Sequence, residues 1–197
     1  PEADILVRMF LEDPDSAFCG GERRSELKKY RESDYKLAQW ICGLKGFDRL
    51  EPGGVETNLD AFMYILRAYR DEVKPDADYV IFKDERLIFL TEKIIRAGKG
   101  KYDIRCFSIL RDVRGIYESQ KRTPMLPATH YMSRNPVRTA LDWNRFVERS
   151  MELEGSVNLF LVQYESFVKW FPASMYLLAS GLGINMEDKL KETGDLE

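Results

Sequence analysis

The amino-acid sequence predicts an α/β fold built on a parallel sheet. Apolar residues recur at helical and strand-like spacing in alternating order along the chain. Parallel strands need helical crossovers, so this order favours a parallel sheet. The predicted strands end close to Lys83, Arg111 and Tyr164. Because ligands bind at the carboxyl ends of such strands, these residues are the first candidates for a binding site.

The first half of the chain predicts three helices, at 3–12, 25–42 and 58–73. Asp13-Pro14 ends the first, because proline cannot continue a helix. Gly43 and Gly46 end the second. Thr57-Asn58 can cap the third. Its apolar residues share one side: Leu59, Phe62, Met63, Leu66 and Tyr69.

The second half predicts strands at 79–82, 104–110 and 158–162, and helices at 86–97, 113–121 and 137–153. We find no internal repeat, low-complexity tract or linker. One domain over residues 1–197 is therefore expected, with a charged end that frays after Glu187.

Composition is that of a globular protein, with 197 residues, 44% apolar and 32% charged. A net charge of −3 argues against a general nucleic-acid binder. No apolar run reaches the roughly 18 to 20 residues that cross a bilayer, and no signal peptide is evident. We expect a cytoplasmic protein, although a segment before Pro1 could carry a signal or an anchor.

The three cysteines, Cys19, Cys42 and Cys106, are scattered along the chain, which predicts reduced thiols, with a Cys19–Cys42 disulfide as the alternative.

The most informative segment is 108–122, with the sequence SILRDVRGIYESQKR. An apolar strand runs into Arg111-Asp112, and Ser119 follows eight residues after the arginine. Arginine offers a planar, charged fork to a phosphate, and the start of the next helix brings free N–H groups. The segment therefore predicts a phosphate clamp. In the alternative, Asp112 merely caps an ordinary helix and Ser119 is solvated.

These residues resemble the sulfotransferases that use 3′-phosphoadenosine-5′-phosphosulfate (PAPS). In that family a strand ending in R-D-P/G-R, and a serine eight residues after the first arginine, hold the 3′-phosphate of the donor. Arg111, Arg114 and Ser119 match those positions, and Val113 replaces the usual proline or glycine. The resemblance implies a doubly wound parallel sheet flanked by helices, as in P-loop NTPases, and PAPS as co-substrate without a metal.

Three further segments extend the resemblance. Phe82-Lys83-Asp84 is similar to the Lys-Asp/Thr-Pro element of the family, with Glu85 in place of proline. Residues 161–168, LVQYESFV, resemble the V-x-Y-E-x-L-V segment, which implies that Tyr164 contacts the nucleotide. Residues 178–184 resemble the F-L-G-I ending that follows.

Near the start, residues 5–24 are similar to the protein-tyrosine sulfotransferase branch. There the run L-x-x-H-P-D-x-x-C-G-E-E-T-R carries a glutamate that serves as general base and a nearby arginine. Glu22 and Arg24 fall on those positions. A carboxylate after a Cys-Gly-Gly turn is expected on a loop, where catalytic groups are common. In the alternative, Glu22 is a solvated charge within a charged run.

The sequence departs from the family before Ile5. The family carries a strand and a P-[KR]-[SA]-G-T-[TS] loop that cradles the 5′-phosphosulfate, whereas this chain begins Pro1-Glu2-Ala3-Asp4. We expect that the first strand and loop belong to a longer protein. The alternative is a degenerate relative that cannot hold the sulfate end.

The resemblance implies that Glu22 deprotonates an acceptor hydroxyl, that Lys83 and Arg24 stabilise developing charge, and that Arg111, Ser119 and Tyr164 bind the donor. The acceptor is expected to be a small molecule, a carbohydrate or a peptide. Lys83 could instead pair with Asp84 or Glu85. Two other functions stay open: an inactive nucleotide-binding or partner-binding relative, and a kinase-like phosphoryl transferase, which the absence of a G-x-x-x-x-G-K-[ST] loop disfavours.

Two further residues, His130 and Trp143, are considered for a role in the site. His130 lies in the segment 123–136, which in the family often lines the acceptor pocket; the histidine base of cytosolic members lies elsewhere. Trp143 resembles a tryptophan on the corresponding helix, where core packing is its expected role.

Overall fold

A computed structural model describes residues 6–31, 36–44, 55–122, 135–154 and 159–186. The chain divides into two compact units, Pro1–Asp103 and Ile104–Glu197. The described residues form a mixed α/β structure that is mostly helical and contains a two-stranded parallel sheet. This confirms the predicted α/β class and the parallel pairing of its strands.

The first unit is helical in its described part. A short π-helical segment, Val7–Leu11, is followed by α1 (Gly20–Arg31), α2 (Lys36–Gly43), α3 (Asn58–Val73) and α4 (Leu87–Gly98). The π-helical segment contacts both α3 and α4, and α1 contacts α2. Its core is formed by apolar side chains of these elements, including Val7, Phe10, Leu11, Leu27, Ile41, Leu59, Ile65, Ile88 and Ile94.

Helix α3 confirms the predicted 58–73 helix and its cap. The Thr57 hydroxyl accepts a hydrogen bond from the Asp60 backbone N–H at 3.2 Å, and the Asp60 carboxylate accepts one from the Thr57 N–H at 3.0 Å. This reciprocal capping box satisfies two N–H groups that a helix start leaves unpaired. An antiparallel bridge between Ala17 and Thr57 joins the cap to the segment after the π-helical turn.

Two predictions for the first unit are wrong. The predicted helix 25–42 is two helices, and α1 begins at Gly20, before Ser25. The predicted strand 79–82 is irregular. Its apolar side chains are largely exposed, with Ile81 at 75%, and no described strand pairs with it. Strand-like composition alone does not form a strand, because the backbone also needs a hydrogen-bonding neighbour.

The second unit contains the sheet. Strand β1 (Cys106–Leu110) leads into α5 (Val113–Arg122) and α6 (Pro136–Glu154), and β2 (Leu159–Gln163) returns parallel to β1. Helices α7 (Tyr164–Lys169) and α8 (Phe171–Gly181) follow. Helices α6 and α8 both contact β2. The buried Ser108 of β1 and Ser150 of α6 lie within hydrogen-bonding distance, with their hydroxyl oxygens 3.2 Å apart.

Helix α8 ends in a geometry that only glycine adopts easily. Gly183 has a φ of 63°, and the N–H groups of Gly183 and Ile184 bond back to the carbonyls of Ser180 and Ala179. No described helix is both long and apolar enough to span a membrane.

Candidate functional site

The register of the sheet brings the sequence-predicted residues Arg111 and Tyr164 together. Leu110 pairs with Gln163 at the last position of the two parallel strands. The next residue on each strand is therefore at the same carboxyl edge, and the Arg111 guanidinium carbon lies 4.7 Å from the centroid of the Tyr164 ring. A cation over an aromatic face at this distance is an attractive cation–π contact.

The Arg111 side chain also lies against the backbone of α5. A Cβ atom built on Gly115 would be 3.2 Å from Arg111 Nε, so the guanidinium approaches the helix where no side chain intervenes. Ser119 follows Gly115 by four residues, which places it on the same helix face. Ser119 is exposed. Arg111 therefore approaches the helix face that also carries Ser119.

Asp112 directly precedes α5, and its carboxylate engages one of the N–H groups that the sequence predicted to be free. Its carboxylate accepts hydrogen bonds from the Arg114 backbone N–H at 2.8 Å and from the Arg114 guanidinium at 2.6 Å. These bonds lower the pKa of Asp112 to about 2, with the Arg114 side chain as the main cause. The Arg114 N–H is therefore engaged by a carboxylate, and the expected free N–H group is not offered to a phosphate at this position.

Arg111 keeps its charge available. It forms no ion pair with a carboxylate of the described residues, whereas Arg114 binds Asp112. A guanidinium that contacts an aromatic ring on one face still presents N–H groups at its edge, and these groups match the oxygens of a phosphate. The arrangement can bind an anion at the carboxyl edge of the sheet.

Two residues that sequence reasoning did not assign to the site contact its backbone. Trp143 of α6, expected to be a packing residue, donates its indole N–H to the Arg111 carbonyl at 2.8 Å. Glu165 of α7 accepts the Asp112 backbone N–H at 2.9 Å. The signals in the sequence were the match of Glu165 to the glutamate of the V-x-Y-E-x-L-V segment and the likeness of Trp143 to a tryptophan on the corresponding helix.

The predicted catalytic residues belong to the first unit. Glu22 is exposed in the first turn of α1, not on a loop as expected. Arg24 is in the same helix, and its side chain lies outside the described part of the structure. Lys83 is exposed in the irregular segment between α3 and α4. Asp84, the alternative partner of Lys83, instead bonds Arg86 at 3.1 Å.

Some predicted residues lie outside the described part of the structure. His130 and most of the expected acceptor segment lie in residues 123–134, which the structure does not describe.

Cys19 and Cys106 are free thiols, and burial raises the pKa of Cys106 to about 11. Among the described residues, no group of three or more His, Cys, Asp or Glu side chains is placed to hold a metal ion.

No family model, no curated protein and no solved structure matches this chain.

Proposed function

We propose that this chain is a sulfotransferase that uses PAPS as donor and transfers its sulfuryl group to an acceptor hydroxyl. The observation that carries the proposal is the position of Arg111, which contacts the Tyr164 ring and the Gly115 backbone at the carboxyl edge of a parallel strand pair. This is the position at which the family resemblance expects the 3′-phosphate of the donor.

The same proposal extends the observed strand pair to a doubly wound parallel sheet. Its support is the crossover between β1 and β2, which runs through α5 and α6. Parallel strands occur almost always in sheets that helices cover on both faces. A two-stranded sheet on its own is marginally stable, which favours a larger sheet.

In the proposed reaction the acceptor oxygen attacks the sulfur in line. A new oxygen–sulfur bond forms as the bond between sulfur and the bridging phosphate oxygen breaks. Adenosine 3′,5′-bisphosphate leaves with the bond electrons, and Glu22 takes the hydroxyl proton. Lys83 and Arg24 stabilise the negative charge that develops on the sulfuryl and bridging oxygens, which is where fixed cations lower the barrier most. Arg111 and Ser119 bind the 3′-phosphate, and Tyr164 contacts the nucleotide.

A transfer assay tests the proposal. The chain is incubated with PAPS carrying radioactive sulfur and with one acceptor of each class: a tyrosine peptide, a simple phenol and a sugar. We expect labelled product from at least one class. Glu22→Gln should lower the turnover by about 10² to 10⁴, because it removes the general base. Glu26→Gln, an exposed glutamate of the same helix, is the matched control and should keep full activity.

The outcomes separate the proposed functions. Binding of PAPS without transfer to any acceptor would favour an inactive nucleotide-binding relative. Transfer of phosphate from a nucleoside triphosphate would favour a kinase-like enzyme. Full activity of Glu22→Gln would reject Glu22 as the base while leaving the donor site intact.

A further inference from the structure

The peptide unit that joins Arg111 to Asp112 is held at both of its polar ends. Its carbonyl, which belongs to Arg111, accepts the indole N–H of Trp143 at 2.8 Å. Its N–H, which belongs to Asp112, donates to Glu165 Oε1 at 2.9 Å. The two side chains come from different helices, α6 and α7. Neither bond is part of the strand ladder or of a helix, so both are additional restraints on this one peptide.

This restraint bears on the direction of the Arg111 side chain. A peptide unit is planar, so fixing its carbonyl and its N–H fixes the plane. The strand ladder holds the backbone just before Arg111, through the pairing of Leu110 with Gln163. The held peptide fixes the backbone just after it. With both flanking peptides fixed, the Cα–Cβ bond of Arg111 has a set direction.

Glu165 links this restraint to the aromatic ring beneath the guanidinium. The dipeptide Tyr164-Glu165 supplies both the ring that Arg111 contacts and the carboxylate that holds the Asp112 N–H. A hydrogen bond from a backbone N–H to a carboxylate is charge-assisted and stronger than one between neutral groups. Trp143 restrains the opposite end of the same peptide, so the two contacts act together.

We propose that Trp143 and Glu165 are positioning residues, which aim Arg111 so that the site selects nucleotides carrying a 3′-phosphate. They act through the backbone and touch no part of the ligand. This inference rests on the proposed function, because it concerns the residue that binds the 3′-phosphate.

The readout is the preference for a 3′-phosphate, defined as the Kd of adenosine 5′-monophosphate divided by the Kd of adenosine 3′,5′-bisphosphate. Trp143→Phe removes the indole N–H and keeps an aromatic ring, and Glu165→Ala removes the acceptor. Each should lower the preference about 3- to 10-fold, the effect of one hydrogen bond. Glu165→Gln retains an acceptor oxygen and should keep most of the preference. Trp170→Phe, at an exposed tryptophan, is the matched control and should change nothing.

An Arg111→Ala background separates positioning from general stability. If Trp143 and Glu165 act through Arg111, their substitutions should not change the preference once Arg111 is absent. A similar loss in that background would overturn the inference, as would an unchanged preference in both single variants. If the parent chain shows no preference, or if Arg111→Ala leaves the preference intact, the proposed donor site fails and the inference fails with it.

Amide hydrogen exchange at Asp112 tests the geometry without any ligand. We expect Glu165→Ala to speed exchange of this amide, while Glu165→Gln leaves it close to the parent rate. Equal rates in the parent and in a folded Glu165→Ala variant would overturn the role of Glu165.

Discussion

Among the described residues of the first unit, the buried carboxylate with the most strongly shifted pKa is that of Asp60, at the start of α3. It accepts hydrogen bonds from the Tyr102 hydroxyl at 2.7 Å, from the Thr57 hydroxyl at 2.9 Å and from Lys101 at 3.3 Å. Burial opposes the charge of Asp60, but these bonds outweigh it and lower its pKa to about 2. Burial and the bond to Asp60 raise the pKa of Tyr102 to about 12.

We predict that Tyr102→Phe destabilises the chain by about 1 to 3 kcal/mol at pH 7, because it leaves the buried Asp60 carboxylate without its shortest hydrogen bond. The pKa of Asp60 is lowered on folding, so its contribution to stability is present above pH 4 and is lost as the pH falls towards 2. The difference in the free energy of unfolding between parent and variant should therefore decrease over that range. Urea unfolding of both proteins at pH 7 and at pH 2.5 measures this difference.

The control for this prediction is Tyr79→Phe, at a tyrosine that is exposed. It should leave the free energy of unfolding unchanged at both pH values. An equal destabilisation by Tyr102→Phe at the two pH values would contradict the ionised state of Asp60.

Gly115 is a position at which one substitution should change stability and ligand binding in opposite directions. Alanine in place of a helical glycine stabilises a helix by about 0.5 to 1 kcal/mol. The new Cβ would lie 3.2 Å from Arg111 Nε, so the flexible guanidinium must move. We expect Gly115→Ala to raise the melting temperature and to weaken binding of adenosine 3′,5′-bisphosphate by about fivefold.

Thermal unfolding and calorimetric titration of the same Gly115→Ala sample measure both effects. In an Arg111→Ala background the loss of affinity should disappear. Tighter binding by Gly115→Ala would show that the guanidinium does not use this approach to the helix.

Helices and strands were predicted best from the sequence where neighbouring residues determine the local structure. The helix 58–73 was predicted within its observed bounds, because Thr57 and Asp60 form the cap from neighbouring residues. The parallel strands were predicted to within about two residues at each end, since apolar runs joined by helices favour this pairing. The segment 79–82 failed because its state depends on a partner strand, which no local pattern encodes.

The candidate site was likewise predicted only in part from the sequence. Arg111 and Tyr164 were identified from the sequence, and the strand register explains why they meet. The bonds of Trp143 and Glu165 to the Arg111–Asp112 peptide were not foreseen. Such bonds join residues 32 and 53 positions apart, and only the folded backbone brings them together.

Helix α8 approaches β2 closely at Gly181. A Cβ atom on Gly181 would lie 2.7 Å from the Phe160 ring, closer than real contacts allow. Gly181→Ala should therefore lower the free energy of unfolding by about 1 to 3 kcal/mol, the usual cost of overpacking. Denaturant unfolding measures the change. Gly43→Ala, where a new Cβ meets nothing within 4 Å, is the control. An unchanged stability for Gly181→Ala would contradict the close contact of α8 with β2.

The two units of the molecule contain different candidate residues. The described part of the first contains Glu22 and Lys83, and the second contains Arg111, Ser119 and Tyr164. The residues proposed to bind the 3′-phosphate all belong to the second unit. Binding of the 3′-phosphate can therefore be measured before the acceptor is known and without any assumption about the base.

The most direct test is calorimetric titration of adenosine 3′,5′-bisphosphate and of adenosine 5′-monophosphate into the full chain and into Arg111→Ala. We predict that the parent binds the bisphosphate more tightly, and that Arg111→Ala lowers this preference roughly 10- to 100-fold, as expected for lost charge-assisted hydrogen bonds. Arg138→Ala, at an exposed arginine of α6, should keep the preference. Equal affinity of the parent for both nucleotides, or an Arg111→Ala variant that keeps the parent's preference for the bisphosphate, would contradict the proposed donor site.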